Sequence, residues 1–166
     1  MALRFRIAVV AVLAALVCAG DASAACSPDK IQSSAAEPLL SHPARTDVIG
    51  SFAMRRHPIS RTFRWHRGID YAGAIGDPVV AAAAGKVVFT GDFGEYGSAI
   101  VISHESLLVE TVYAHLSRIN VKVGDCVRNQ QLIGAIGNSG MSSSTHLHFE
   151  VRAAVDPLGF LPRRAR

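Results

Sequence analysis

Pro78-Val79-Val80-Ala81-Ala82-Ala83, Lys86-Val87-Val88-Phe89-Thr90-Gly91 and Ser98-Ala99-Ile100-Val101-Ile102-Ser103-His104 decide the fold class. The first run is apolar and lies between Gly76 and Gly85. The second is β-branched and aromatic and stops at a glycine. The third holds Ala-Ile-Val-Ile. Short runs of this composition, bounded by glycine, read as strands joined by tight turns. The pattern continues through Leu107 to His115, Gln131 to Ile136 and His146 to Arg152. Its regular short spacing, with no convincing amphipathic helix alongside, predicts a mainly β domain.

Working outward, order is expected from about Val48, and the domain is expected to span 48–156. Upstream, residues 25–47 hold Ser, Ala, Pro, Asp, Lys and Gln with little periodicity. They read as a linker or a loosely docked arm. Residues 1–24 read as a signal peptide. Arg4 and Arg6 form a positive start, Ile7 to Gly20 is apolar or small, and Ala22-Ser23-Ala24 matches a small-residue cleavage site. The apolar run falls short of the roughly 20 residues a membrane span needs. A lipid-modified Cys26 is disfavoured, because the residues before it lack the usual leucine. The expected product is secreted, periplasmic or extracellular, without stable membrane insertion. Residues 157–166 read as a solvated basic tail.

The chain has 166 residues, 49% apolar and 18% charged, which fits one globular domain with a real core. Its formal net charge of +4 suits an anionic partner without choosing one. Of three cysteines, Cys18 leaves with the signal. Cys26 and Cys126 remain as an even pair in an oxidising compartment, open to a Cys26–Cys126 disulfide.

Chemistry concentrates in three short clusters: His66-Arg67-Gly68-Ile69-Asp70, Tyr113-Ala114-His115-Leu116 and His146-Leu147-His148-Phe149-Glu150. In a strand, His146 and His148 share one face about 6.5–7 Å apart. His66 and Asp70 add a nitrogen and a carboxylate oxygen. One histidine of the H-x-H pair then completes a His₂Asp set with an open fourth position, the donor count of a catalytic zinc site. His115 and the other H-x-H histidine stay free for acid–base work. Spacing alone leaves open which of His146 and His148 plays which part. Other zinc patterns fail: His104-Glu105 starts like H-E-x-x-H, but Leu108 stands where the second histidine belongs. No G-x-S-x-G occurs, and Ser139 has no triad context.

The H-x-G-x-D, Y-A-H-L and H-L-H-F-E clusters, in this order and spacing, resemble the lysostaphin-type (LytM-like) metallopeptidases. The resemblance runs from about Ile49 to Arg152 and includes Asp77 to Ala81, Gly85-Lys86-Val87, Tyr96-Gly97 and Gly134 to Gly140. It implies an antiparallel β-sheet with a long groove. It implies one zinc held by His66, Asp70 and His148, with His115 and His146 flanking the water and the scissile carbonyl. One of these two would take the water's proton and the other stabilise the oxyanion. The implied activity is a zinc endopeptidase cutting peptidoglycan cross-links or stem peptides, with no nucleic-acid partner. A catalytically silent relative that activates cell-wall amidases is the alternative; all five filled positions favour activity. Oligomeric state is left open.

Three departures fall on turns. Gln130 stands where glycine is usual, the 104–113 hairpin lacks its glycine near Leu107, and Ser142 to Thr145 replaces a Gly- and Pro-rich stretch. Phe63, Trp65 and Tyr71 flank the first cluster and could stack on sugar or peptide, but core packing is the favoured reading. Glu150 is assigned equally to orienting a ligand or to a structural role. Arg64 and Arg67 could attract an acidic stem peptide or polymer, but a plain surface role is the favoured reading.

Overall fold

A computed structural model describes residues 39–153. The expected signal peptide, Cys26 and the expected basic tail lie outside the described residues. Every strand pairing is antiparallel, and helix among the described residues is limited to two 3-10 turns, Gly94–Tyr96 and Glu105–Leu107. The expected mainly β class holds.

Seven strands form the large sheet. In chain order they are β1 (Val48–Gly50), β4 (Ile69–Ala72), β6 (Gly85–Asp92), β7 (Ser98–His104), β8 (Val109–Ala114), β10 (Cys126–Val127) and β12 (His146–Ala153). Their spatial order is β1-β4-β12-β8-β7-β6-β10. A second sheet holds β5 (Pro78–Val80), β11 (Leu132–Ile136) and β9 (Leu116–Ile119) in that order. The β2 (Ala53–Arg56) and β3 (Phe63–His66) strands form a separate two-stranded hairpin.

The core lies between the two larger sheets. Ile100, Ile102, Tyr113, Leu147 and Phe149 of the large sheet join Val79, Leu116, Ile133 and Ile136 of the smaller one in a single buried cluster. Each such aliphatic side chain contributes roughly 1.5–3 kcal/mol by leaving water. Strand alternation sends Leu147 and Phe149 into this core, which turns His146, His148 and Glu150 to the opposite face. Core and site are therefore two faces of one strand.

Residues 39–47 are docked, not loose. Ser41 N–H donates to Ala82 O (2.7 Å), Val80 N–H to Pro43 O (2.9 Å) and Ala72 N–H to Asp47 O (2.9 Å), while Pro43 and Ala44 are buried. Weak periodicity gives little sign of this, because the docking runs through backbone groups and single side-chain contacts, among them His42 Nδ1 with Tyr71 OH (2.7 Å) and Asn129 Nδ2 donating to Ser41 Oγ (3.0 Å). Two of the unusual turns show their cost: Leu108 and Gln130 both adopt left-handed φ, at 52° and 62°. An L-residue there is strained by roughly 1–2 kcal/mol. Gln130 recovers part of it by donating from Nε2 to His42 O (3.2 Å).

A buried polar chain links the sheets. His104 Nδ1–H donates to Ala84 O (2.8 Å), and Thr111 Oγ1 lies 2.8 Å from His104 Nε2 and 2.9 Å from Tyr113 OH. Tyr113 OH accepts the Ala82 N–H (2.9 Å). Burial pushes the Tyr113 phenol up to about 12, so it stays protonated. Tyr113→Phe should cost about 1–3 kcal/mol in urea unfolding, because it strands a buried amide. Burial also lowers the His104 pKa, against the raising effect of Ala84 O. The unfolded chain thus binds more protons below about pH 6.5, and stability falls as pH drops through that window. Comparing His104→Gln with wild type at pH 7 and pH 5 should show a shallower loss in the variant.

Candidate metal centre

The register of β12 against β4 sets His148 opposite Asp70. Gly68 permits the approach: a Cβ there would meet Phe149 O at 2.2 Å and His148 Cε1 at 3.0 Å. His66, at the end of β3, completes the group. His66 Nε2 lies 3.0 Å from Asp70 Oδ1 and 3.0 Å from His148 Nδ1, and His148 Nδ1 lies 2.9 Å from Asp70 Oδ1. Donors on a tetrahedral zinc, with bonds near 2.0–2.1 Å, sit about 3.3 Å apart. The three atoms are within a few tenths of that spacing.

The outer nitrogens decide the tautomers. His66 Nδ1 is 2.7 Å from Ser51 O, an acceptor only, so Nδ1 carries the proton. His148 Nε2 is 3.0 Å from the Glu150 carboxylate and carries its proton likewise. In the neutral rings, both inner nitrogens then present lone pairs to one another and to a carboxylate oxygen. Three electron-rich atoms converging with no proton between them fit a cation. Oxygen from one carboxylate with two imidazole nitrogens suits zinc.

Charged partners hold the ring from behind. Glu150 is 1% exposed; Tyr96 OH donates to its Oε1 (2.8 Å) and Arg152 Nε to its Oε2 (2.7 Å). Burial would raise its pKa, but bonds from His148, Tyr96 and Arg152 hold it near 2. Burial likewise opposes ionisation of Asp70, and the His148 and His66 bonds overcome it, holding the carboxyl well below the usual range. Arg55 NH2 donates to the second oxygen, Oδ2 (2.9 Å). Burial lowers the His148 pKa, yet Asp70 and Glu150 outweigh it and raise it. A proton therefore competes with a metal for Nδ1.

The two remaining histidines flank this group. His115 has φ of 60°, a left-handed value that interrupts the chain between β8 and β9 and is held by His115 N–H donating to Tyr96 O (2.9 Å). His115 Nδ1 is 2.7 Å from Ser139 O, and His146 Nδ1 is 2.8 Å from Ser144 O. Both Nε2 atoms are left to face the centre. The rings lie 4.8 Å apart, and His146 Nε2 is 3.6 Å from Asp70 Oδ1. Burial lowers His115 to about 4, with His146 and His148 adding to the effect. It is neutral at pH 7.

All five sequence-designated residues thus converge at a cleft of about 740 Å³. Tyr96, Arg55 and Arg152 were not singled out, and only the Tyr96-Gly97 pair offered a signal. Glu150 accepts from His148 Nε2 (3.0 Å), the contact that its ligand-orienting reading requires. Phe63 and Trp65 are not core residues: they are 76% and 55% exposed, and among the described residues β2 and β3 pair only with each other, whereas Tyr71 is buried.

Residues 64–158 match the model of peptidase family M23, more than half of the chain, and the protein belongs to that family. Over 122 residues it is 44% identical to the DD-carboxypeptidase/endopeptidase Mpg of Neisseria meningitidis serogroup B, covering 74% of this chain and 27% of that one. It is 40% identical over 105 residues to the peptidoglycan DD-endopeptidase ShyA of Vibrio cholerae, covering 63% and 24%. The chain thus spans about a quarter of these relatives' length. A zinc-containing peptidase from Vibrio cholerae superposes with a TM-score of 0.65 at 33% identity, over 71% of this chain and 38% of the other. The catalytic domain of lysostaphin from Staphylococcus simulans gives 0.61 at 31% identity, over 69% and 91%.

His148→Ala should abolish stoichiometric zinc, since two protein donors hold it too weakly. Glu150→Gln should keep zinc but weaken it about 10–100-fold, the usual effect of removing an orienting partner. Chelator competition on the purified variants measures both.

Proposed function

We propose that the protein is a zinc endopeptidase that hydrolyses peptide bonds in peptidoglycan cross-links or stem peptides. One observation carries this: three metal-donor atoms converge beside two histidines whose Nε2 atoms are free to handle protons. His66, Asp70 and His148 would hold one zinc, which when bound supplies Lewis-acid activation of a water and a carbonyl. His115 suits removal of the water's proton, because burial keeps it neutral and Ser139 O fixes its tautomer. The same proton can then pass to the leaving amine. His146, whose Nδ1–H bonds Ser144 O, would stabilise the developing oxyanion in the form that also carries a proton on Nε2. The substrate class follows the relatives, two of which are named for peptidoglycan or endopeptidase activity. Family M23 peptidoglycan hydrolases act in the cell envelope, and the signal-like residues 1–24 support a periplasmic or extracellular site for this chain.

The silent amidase activator is disfavoured because no donor or flanking histidine is missing. His115→Ala and His146→Ala should each retain zinc and lose about 10²–10⁴ in turnover. Mass analysis of muropeptides released from purified sacculi reads the activity. No peptide release by the zinc-loaded wild type would sink the endopeptidase reading.

A further inference from the structure

Residues 51–69 contain five arginines and no aspartate or glutamate. Within them, the β2–β3 register sets Met54 beside Trp65 and Arg56 beside Phe63. Alternation sets these four on the hairpin face opposite Arg55, Arg64 and His66, with Met54 and Trp65 also reaching the cleft. The outer face is bare. Phe63 is 76% exposed, Phe52 62%, Trp65 55% and Met54 51%, and the Phe52 and Trp65 rings lie 5.4 Å apart. A cluster of exposed aromatics is a recognition surface more often than an accident. Arg55 is committed to Asp70 and Arg64 to Glu95, but Arg61 and Arg67 are exposed and Arg56 keeps its charge while bonding the Arg61 carbonyl.

We infer that the outer face of the β2–β3 hairpin docks the intact peptidoglycan strand beside the cleft, with its aromatic rings against sugar rings and its arginines against stem-peptide carboxylates. This rests on the peptidoglycan reading above. The chemistry matches on both counts. Pyranose rings present apolar C–H faces that pack on aromatic side chains, and guanidinium groups pair with carboxylates in a planar fork. Continuity selects the polymer over a membrane. Met54, Trp65 and Arg67 belong to the patch and also line the cleft, so a strand delivering a peptide to the metal centre would cross this face.

The test uses the zinc-loaded full chain, sedimented with purified sacculi, and compares Phe63→Ser with a second exposed-site variant, Arg61→Ser. Phe63→Ser should weaken sacculus binding about tenfold and Arg61→Ser about threefold, each with zinc content and circular dichroism preserved. For Phe63→Ser, the ratio of cleavage rate on sacculi to that on a soluble cross-linked muropeptide dimer should fall at least fivefold. Unchanged sedimentation and an unchanged ratio in both variants would overturn the proposal. So would normal sacculus binding combined with lost binding to phosphatidylglycerol–phosphatidylethanolamine vesicles, which would make this a membrane face. If wild type cleaves neither substrate but its sedimentation still depends on Phe63, the docking face stands and the peptidase reading fails.

Discussion

Two imidazole lone pairs and a carboxylate oxygen meet within 3.0 Å of one another, and the surrounding structure exists to keep them there. Left alone, such groups repel or trap a proton. They are held by hydrogen bonds from behind. Ser51 O fixes one ring, Glu150 the other, and Arg55 takes the spare oxygen of Asp70. Glu150 is itself a buried charge, and it is tolerable only because Tyr96 and Arg152 satisfy it. Arg152 in turn lies over the Phe93 and Tyr96 rings, at 5.8 and 5.7 Å from their centroids. The support reaches two shells out from the donor atoms.

Register is the second constraint. The central β12 strand pairs on both sides, with His148 opposite Asp70 on β4 and opposite Ala114 on β8. A slip of one residue would turn both H-x-H histidines into the core and expose Leu147. The fully buried Leu147 therefore guards the site from the far side of the sheet. Loop 137–145 does the equivalent work for the flanking histidines, supplying both Ser139 O and Ser144 O. It is seated by close backbone approach: a Cβ on Gly140 would meet Gly97 N at 2.3 Å, and Ser139 Oγ bridges Ser98 N–H and Leu116 O. One loop thus sets two tautomers.

Much of this was legible in the sequence because it is local. Strand periodicity, glycine turns and the three histidine clusters are all readable within windows of a few residues. Spacing did not say which of His146 and His148 joins the metal group, since both share a strand face; the family resemblance pointed to His148, and pairing with Asp70, 78 residues away, is what separates the two in the fold. Arg55 and Arg152 escaped notice because nothing in the sequence around them signals their contacts with Asp70 and Glu150, and the Tyr96-Gly97 pair marked a position without showing its bond to Glu150. Phe63 and Trp65 misled because burial habit predicts a partner sheet, and among the described residues their hairpin has none. The sequence left residues 25–47 as a linker or a loosely docked arm, because much of the docking at 39–47 runs through backbone groups, which carry no sequence signature.

The division of β12 into a core face and a site face has an energetic consequence. Stability comes from apolar burial on one side, while the donor atoms are positioned on the other by bonds to the protein itself. In metal domains that lack such a core, the ion's binding energy is folding energy, and removing a ligand unfolds the chain. Here Asp70 is paired with Arg55 and Glu150 with Arg152, so each carboxylate near the donor group has a cationic partner of its own. Folding does not have to wait for a metal to neutralise them. The affinity of the centre and the stability of the fold are then nearly separate quantities, tunable by changes on opposite faces of one strand. That separation lets ligand and acid–base substitutions report on chemistry instead of on loss of structure.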